Sequence, residues 1–167
     1  MATIRTVGII GAGQMGNGIA HVCALAGHPV RLNDVSGERI RAGLATINGN
    51  MARQVSRHNI TEEDRKAALG RIEPAETLDA LGECDLVIEA ATEKEEVKRK
   101  LFTALCAGLK PDAIIGTNTS SIPITRLAAA TDRPERFIGI HFMNPVPLME
   151  LVELIRGINT DDATFST

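Results

Sequence analysis

Short apolar runs alternate with longer amphipathic stretches along this chain, an order that predicts an α/β fold on a mostly parallel sheet with flanking helices. Two further observations sharpen that expectation. Gly11-Ala12-Gly13-Gln14-Met15-Gly16 places G-x-G-x-x-G directly after the first apolar run and at the head of a helical pattern. Asp34 closes the second apolar run, 18 residues beyond Gly16.

The elements follow in order. Thr6 to Ile10 reads as a strand, Gln14 to Ala26 as a helix stopped by Gly27, and Pro29 to Leu32 as a second strand. Ser36 is placed to cap a long helix whose apolar face is Ile40, Leu44, Ile47, Met51 and Val55, spaced by three and four. Thr61 caps another helix with Glu62 and Glu63 in its first turn. Asp85 to Glu89 is a buried strand, Glu95 to Ala107 a helix ended by Gly108, Ala113 to Gly116 a strand and Ile124 to Ala130 a short helix. Phe137 to Phe142 and Met149 to Ile155 complete the strands, and Thr160 to Thr164 has the cap and acidic first turn of one more helix, yet only five residues follow Asp162. The chain therefore reads as the N-terminal portion of something longer.

Composition narrows the function. At 167 residues the chain is about one domain and long enough to bury a core. A net charge of −3 gives no basic field for nucleic acid, and four Phe with no Tyr or Trp provide no base-stacking platform. Cys23, Cys84 and Cys106 form no paired framework, which suits a reducing, cytoplasmic setting. No apolar run approaches a membrane span, the N-terminus reads as a strand and not a signal peptide, and no residues have metal-ligand spacing.

Each residue type in the glycine segment has a physical task. Gly11 permits the tight turn, Gly13 lets backbone approach a pyrophosphate, and Gly16 allows close helix–strand packing. Ala12, Gln14 and Met15 complete a helix N-terminus whose N–H groups and dipole favour phosphate. A carboxylate at Asp34 would accept the ribose hydroxyls and repel a 2′-phosphate, favouring NAD over NADP, although Arg31 and Arg39 are nearby cations.

The segment G-I-H-F-M-N-P-V-P-L-M-E-L-V-E, residues 139–153, supplies the chemistry. His141 ends an apolar run and Glu153 follows twelve residues later, with an Asn-Pro-x-Pro turn between them. If 149–155 alternates as a strand, Glu153 shares a face with Leu151 and Ile155, where a buried carboxylate needs a partner. His141 is that partner, and a histidine oriented by a carboxylate is a proton-transfer pair.

The order and spacing of GxGxxG, D-L-V-I-E-A, N-T-S-S and H-F-x-N-P-x-P-x-M-x-L-V-E resemble the L-3-hydroxyacyl-CoA dehydrogenase family, its bacterial 3-hydroxybutyryl-CoA members in particular, over essentially the whole chain. The resemblance implies a Rossmann-type NAD-binding domain over residues 1–167, cut before its last strand and without the family's C-terminal helical domain. It implies NAD as cofactor and a short-chain (S)-3-hydroxyacyl-CoA as substrate. It makes His141 the general base, Glu153 its orienting partner, and Ser120 the donor to the reacting oxygen beside the nicotinamide. It sets Glu93 and Lys98 at the nicotinamide half of the cofactor, and Asn50, Arg57 and Asn144 at the acyl-CoA. The full-length protein would be a homodimer through the missing domain, and this chain a monomer of low activity. A sugar-acid dehydrogenase of the gulonate type and a non-catalytic dinucleotide-binding relative are the alternatives.

Overall fold

The computed structural model describes residues 3–167. Seven strands form one sheet: β1 (Val7–Ile10), β2 (Val30–Asn33), β3 (Ile72–Ala75), β4 (Leu86–Glu89), β5 (Ile114–Thr117), β6 (Phe137–Phe142) and β7 (Val152–Arg156). Their order is β3-β2-β1-β4-β5-β6-β7, parallel throughout until β7, which runs antiparallel to β6. The order reverses between β1 and β4. In open α/β sheets ligands bind outside the carboxyl ends of the strands at such a switch point.

Two helical layers cover the sheet because its central strands alternate sides. Val7 and Ile9 of β1, Leu86 and Ile88 of β4, and Ile138 of β6 face one layer. That layer packs α1 (Gln14–Leu25), α2 (Gly37–Ser56) and α3 (Glu62–Leu69). Ile10, Val87, Ile115 and Phe137 face the other, under α4 (Glu95–Gly108) and α5 (Ile124–Ala128), where Phe102 and Phe137 meet edge-to-face. Strands buried on both faces read as continuous apolar runs, which explains V-G-I-I, L-V-I-E and I-I-G-T. The α2 face behaves as its spacing predicts: Ile40, Ile47 and Met51 are buried, with Leu44 packed beside them.

The helix starts also follow the sequence. Ser36 accepts the amide of Arg39, and Thr61 forms a reciprocal capping box with Asp64. α6 (Asp162–Ser166) is capped by Asp161, whose carboxylate accepts the Thr164 amide, while Thr160 donates its hydroxyl to the Phe137 carbonyl.

Two expectations are corrected. β3 is a strand that the pattern does not announce: I-E-P-A is short, half exposed and contains a proline, a combination tolerated at a sheet edge. β7 begins at Val152 instead of Met149, because residues 145–149 close a turn in which the Leu148 and Met149 amides both donate to the Pro145 carbonyl. β7 is exposed along its whole length, so Glu153 does not sit on a buried face. Leu151, Val152, Leu154 and Ile155 are uncovered with it, as are Leu148 and Ile158. Among the described residues no helix is long and apolar enough to cross a membrane, and no cluster of His, Cys, Asp or Glu could hold a metal ion.

Candidate active site

The glycine turn lies at the switch point. Gly11 adopts φ +102°, which favours glycine, and a Cβ there would lie 2.7 Å from the Ala90 carbonyl of the turn after β4. A Cβ at Gly16 would lie 1.6 Å from the Gly11 carbonyl oxygen, so the turn and the first helical turn interlock only without side chains. Nothing lies within 4 Å of the same position at Gly13, which leaves open space beside the helix start. α1 has neither a side-chain cap nor an acidic first turn, unlike α2, α3 and α6. Its positive end is thus left to an anion, and the residues fit a dinucleotide pyrophosphate.

Asp34 is less free than its spacing suggests. One carboxylate oxygen accepts the Ala12 amide at 2.8 Å; the other accepts the Val35 amide at 2.7 Å and meets the Arg39 guanidinium at 2.9 Å. It therefore braces the glycine turn from inside, and Arg39, mostly exposed, is the one movable partner. Arg31 turns away and donates to the Ala80 carbonyl. Asp34, Val35, Gly11 and Ala91 line a shallow pocket of about 250 Å³.

At the far end of the crevice, His141 and Glu153 are direct cross-strand partners in the β6–β7 ladder, with Nδ1 2.8 Å from a carboxylate oxygen. In a neutral imidazole, Nδ1–H donating to the carboxylate leaves the Nε2 lone pair free to face a substrate. The Glu153 side chain is 50% exposed and His141 21%, so solvent reaches the pair from the β7 side.

The next strand end supplies the neighbouring groups. Ser120 is exposed, and its amide donates to Glu93 at 3.3 Å; the Thr119 hydroxyl donates to the other Glu93 oxygen at 2.8 Å. Glu93 therefore ties the loop after β4 to the loop that carries Ser120. Lys98 does not present its ammonium to the crevice. It is buried against Glu89 at 2.5 Å, and Glu89 also accepts the Thr117 hydroxyl and the Ala91 amide, each at 2.8 Å. Removing one member of such a pair strands a buried charge, at a cost of about 3–5 kcal/mol.

The residues expected at the acyl-CoA gather on the α1–α2 side. The Gln14 side-chain amide donates to Asn144 at 3.1 Å, across the crevice mouth, and both line a pocket with Asn17, Thr46 and Asn50. The Asn144–Pro145 peptide is cis. Val146 is buried against α1 at Gly18, where a Cβ would lie 2.8 Å from the valine Cβ. Arg57 and Asn50 line an adjoining pocket of about 280 Å³ with Arg53 and His21. His21 is fully buried, its Nε2 2.8 Å from the Gln54 side-chain oxygen, and its Nδ1 has no hydrogen-bond partner. Burial pushes its pKa down, with the Gln54 bond working against that shift.

Sequence reasoning passed over Glu89, Asn118 and Gly18. For Glu89 a signal existed: a carboxylate ending the apolar run L-V-I-E needs a buried cation, and Lys98 lies on the inner face of the following helix.

A glycine turn at the switch point of a parallel sheet, opening on an uncapped helix, defines a dinucleotide-binding α/β domain. The chain belongs to the family described as "3-hydroxyacyl-CoA dehydrogenase, NAD binding domain", which matches residues 6–167. It is 74% identical over 164 residues to the 3-hydroxybutyryl-CoA dehydrogenase of Bradyrhizobium diazoefficiens, covering 98% of this chain and 56% of that protein. It is 44% identical to the 3-hydroxyadipyl-CoA dehydrogenase of Escherichia coli, covering 96% of this chain and 34% of that one. The crystal structure of the (S)-3-hydroxybutyryl-CoA dehydrogenase of Ralstonia eutropha superimposes with a TM-score of 0.96 at 48% identity, covering 98% of this chain and 58% of that chain. The chain thus spans little more than half the length of the first-named relative.

Proposed function

We propose that this chain is the NAD-binding part of a cytoplasmic enzyme that reversibly oxidises a short-chain (S)-3-hydroxyacyl-CoA to the 3-oxoacyl-CoA. The observation that carries the reading is the His141–Glu153 bond of 2.8 Å at the same sheet end as the glycine turn. Bound at the switch point, the nicotinamide supplies a hydride acceptor. His141 Nε2 takes the proton of the 3-hydroxyl as the hydride leaves C3, and Glu153 holds the imidazole tautomer and stabilises the imidazolium. Ser120 donates to the reacting oxygen. Glu93 sets the Ser120 loop, and Lys98 acts through Glu89 from inside the fold. Asn144, Asn50 and Arg57 receive the acyl-CoA on the α1–α2 side.

The relatives named above are named for acyl-CoA substrates, which favours this reading over a sugar acid. The intact His–Glu geometry favours it over a non-catalytic binding protein. The apolar surface along β7 is where this reading places the remainder of the enzyme and the homodimer built on it; the chain by itself is then a monomer of low activity.

The test is oxidation of NADH with acetoacetyl-CoA by the natural-length protein, beside NADPH in a parallel assay. Fast turnover with a strong NADH preference is expected. Tight NADH binding without turnover would move the assignment to gulonate-type or non-catalytic relatives.

A further inference from the structure

The general base stands where the sheet has run out of partners. Parallel pairing between β5 and β6 ends at Thr117–Gly139, so Ile140, His141 and Phe142 extend past their neighbour on that side. On the other side lies only β7, an exposed edge strand. A strand end held along one exposed border is expected to fray, and a base that frays loses its aim. Yet the Phe142 amide, one residue beyond His141, donates to the side-chain oxygen of Asn118 at 2.8 Å. Because an amide N–H can only donate, the orientation of the Asn118 carboxamide is settled by that bond. Asn118 is itself fixed: it is buried, and its own amide donates to the Glu89 carbonyl at 2.8 Å. Glu89 in turn is locked by Lys98 and Thr117. The Asn118 side chain therefore supplies the rung that a longer β5 would have supplied, tying His141 to the rigid centre of the sheet.

The geometry points to Asn118 as a positioning residue for His141, a role that rests on reading His141 as the general base. It touches no reacting atom. Its effect falls on the aim of the imidazole and leaves the glycine turn alone.

The test compares Asn118→Leu, which keeps the approximate volume and loses the acceptor, with Asn118→Asp, which keeps the acceptor. In the natural-length enzyme Asn118→Leu is expected to lower kcat about tenfold to a hundredfold, with NADH affinity within about twofold of wild type. Asn118→Asp is expected to restore kcat to within about threefold of wild type. Hydrogen exchange at the Phe142 amide should quicken at least about tenfold in the leucine variant. The His141 nitrogen resonances should show one tautomer in wild type and an average of two in that variant. Unchanged kcat in Asn118→Leu, or a matching loss of NADH affinity, would overturn the assignment. Wild-type turnover of acetoacetyl-CoA, measured first, separates the two questions. If it is absent the proposed activity fails, while exchange and tautomer still decide whether Asn118 holds His141.

Discussion

At the dinucleotide end of the crevice the working groups are backbone atoms: the Gly11–Gly16 turn, the free amides of α1, and a buried Asp34 that braces them. At the β6–β7 end the proposed working groups are side chains on an edge pair of strands, with Glu153 half in water. The first region is set between the ends of both switch-point strands, with Gly11, Ala12 and Gly16 buried. The second depends on a cross-strand pair, one asparagine and a turn seated on α1. The glycine turn is thus held by buried groups of this chain, whereas the proposed catalytic pair has its geometry but little low-dielectric enclosure, and solvent screens such a pair.

That separation can be broken at three points. The largest effect belongs to His141→Gln in the natural-length enzyme, with turnover falling by about two to four orders of magnitude at nearly unchanged NADH affinity. Wild-type turnover in this variant would remove the general-base role. Gly16→Ala probes the opposite region. Its Cβ would strike the Gly11 carbonyl, and overpacking of this kind costs about 1–3 kcal/mol. Fluorescence titration should show NADH binding weakened about tenfold to a hundredfold, while the Nδ1 proton of His141 keeps its wild-type resonance. A shifted resonance would mean that the two regions are mechanically coupled.

The smallest effect comes from His21, beneath the pocket between α1 and α2. Its folded pKa is depressed by burial, so its contribution to stability is fully present above its ordinary value of about 6.5. That contribution declines as pH falls below this value, because the unfolded chain takes up the proton first. Urea midpoints measured from pH 8 down to pH 5 should therefore fall shallowly below about pH 6.5. His21→Gln should flatten that part of the profile; an unchanged decline would assign it to other groups.

Much of this arrangement is legible in the sequence because its signals are local. Periodicity gives the strands buried on both faces and the α2 stripe, and side-chain caps announce α2 and α3. The pairing of His141 with Glu153 is signalled by their twelve-residue spacing across an Asn-Pro-x-Pro turn. What stays hidden depends on distant partners. β3 is short and carries a glutamate and a proline, and it becomes a strand only because β2 offers it an edge. The exposure of Glu153 depends on nothing covering β7, which no alternation pattern encodes. Lys98 appears in the chain as one more charge in T-E-K-E-E-V-K, and only the packing of α4 turns it inward to Glu89. Asp34 has the expected position, but its bond to the Ala12 amide requires the folded turn.

The seat of Val146 at Gly18 has a consequence for how this sequence can vary. With 2.8 Å between the two Cβ positions, a methyl group added at residue 18 has no room unless residue 146 shrinks or moves. The two positions, 128 residues apart in the chain, therefore form one mutational unit. Neither can drift alone without re-aiming the turn that follows His141. A substitution on the first helix would then surface as altered substrate handling, while the nucleotide grip beside it stays intact.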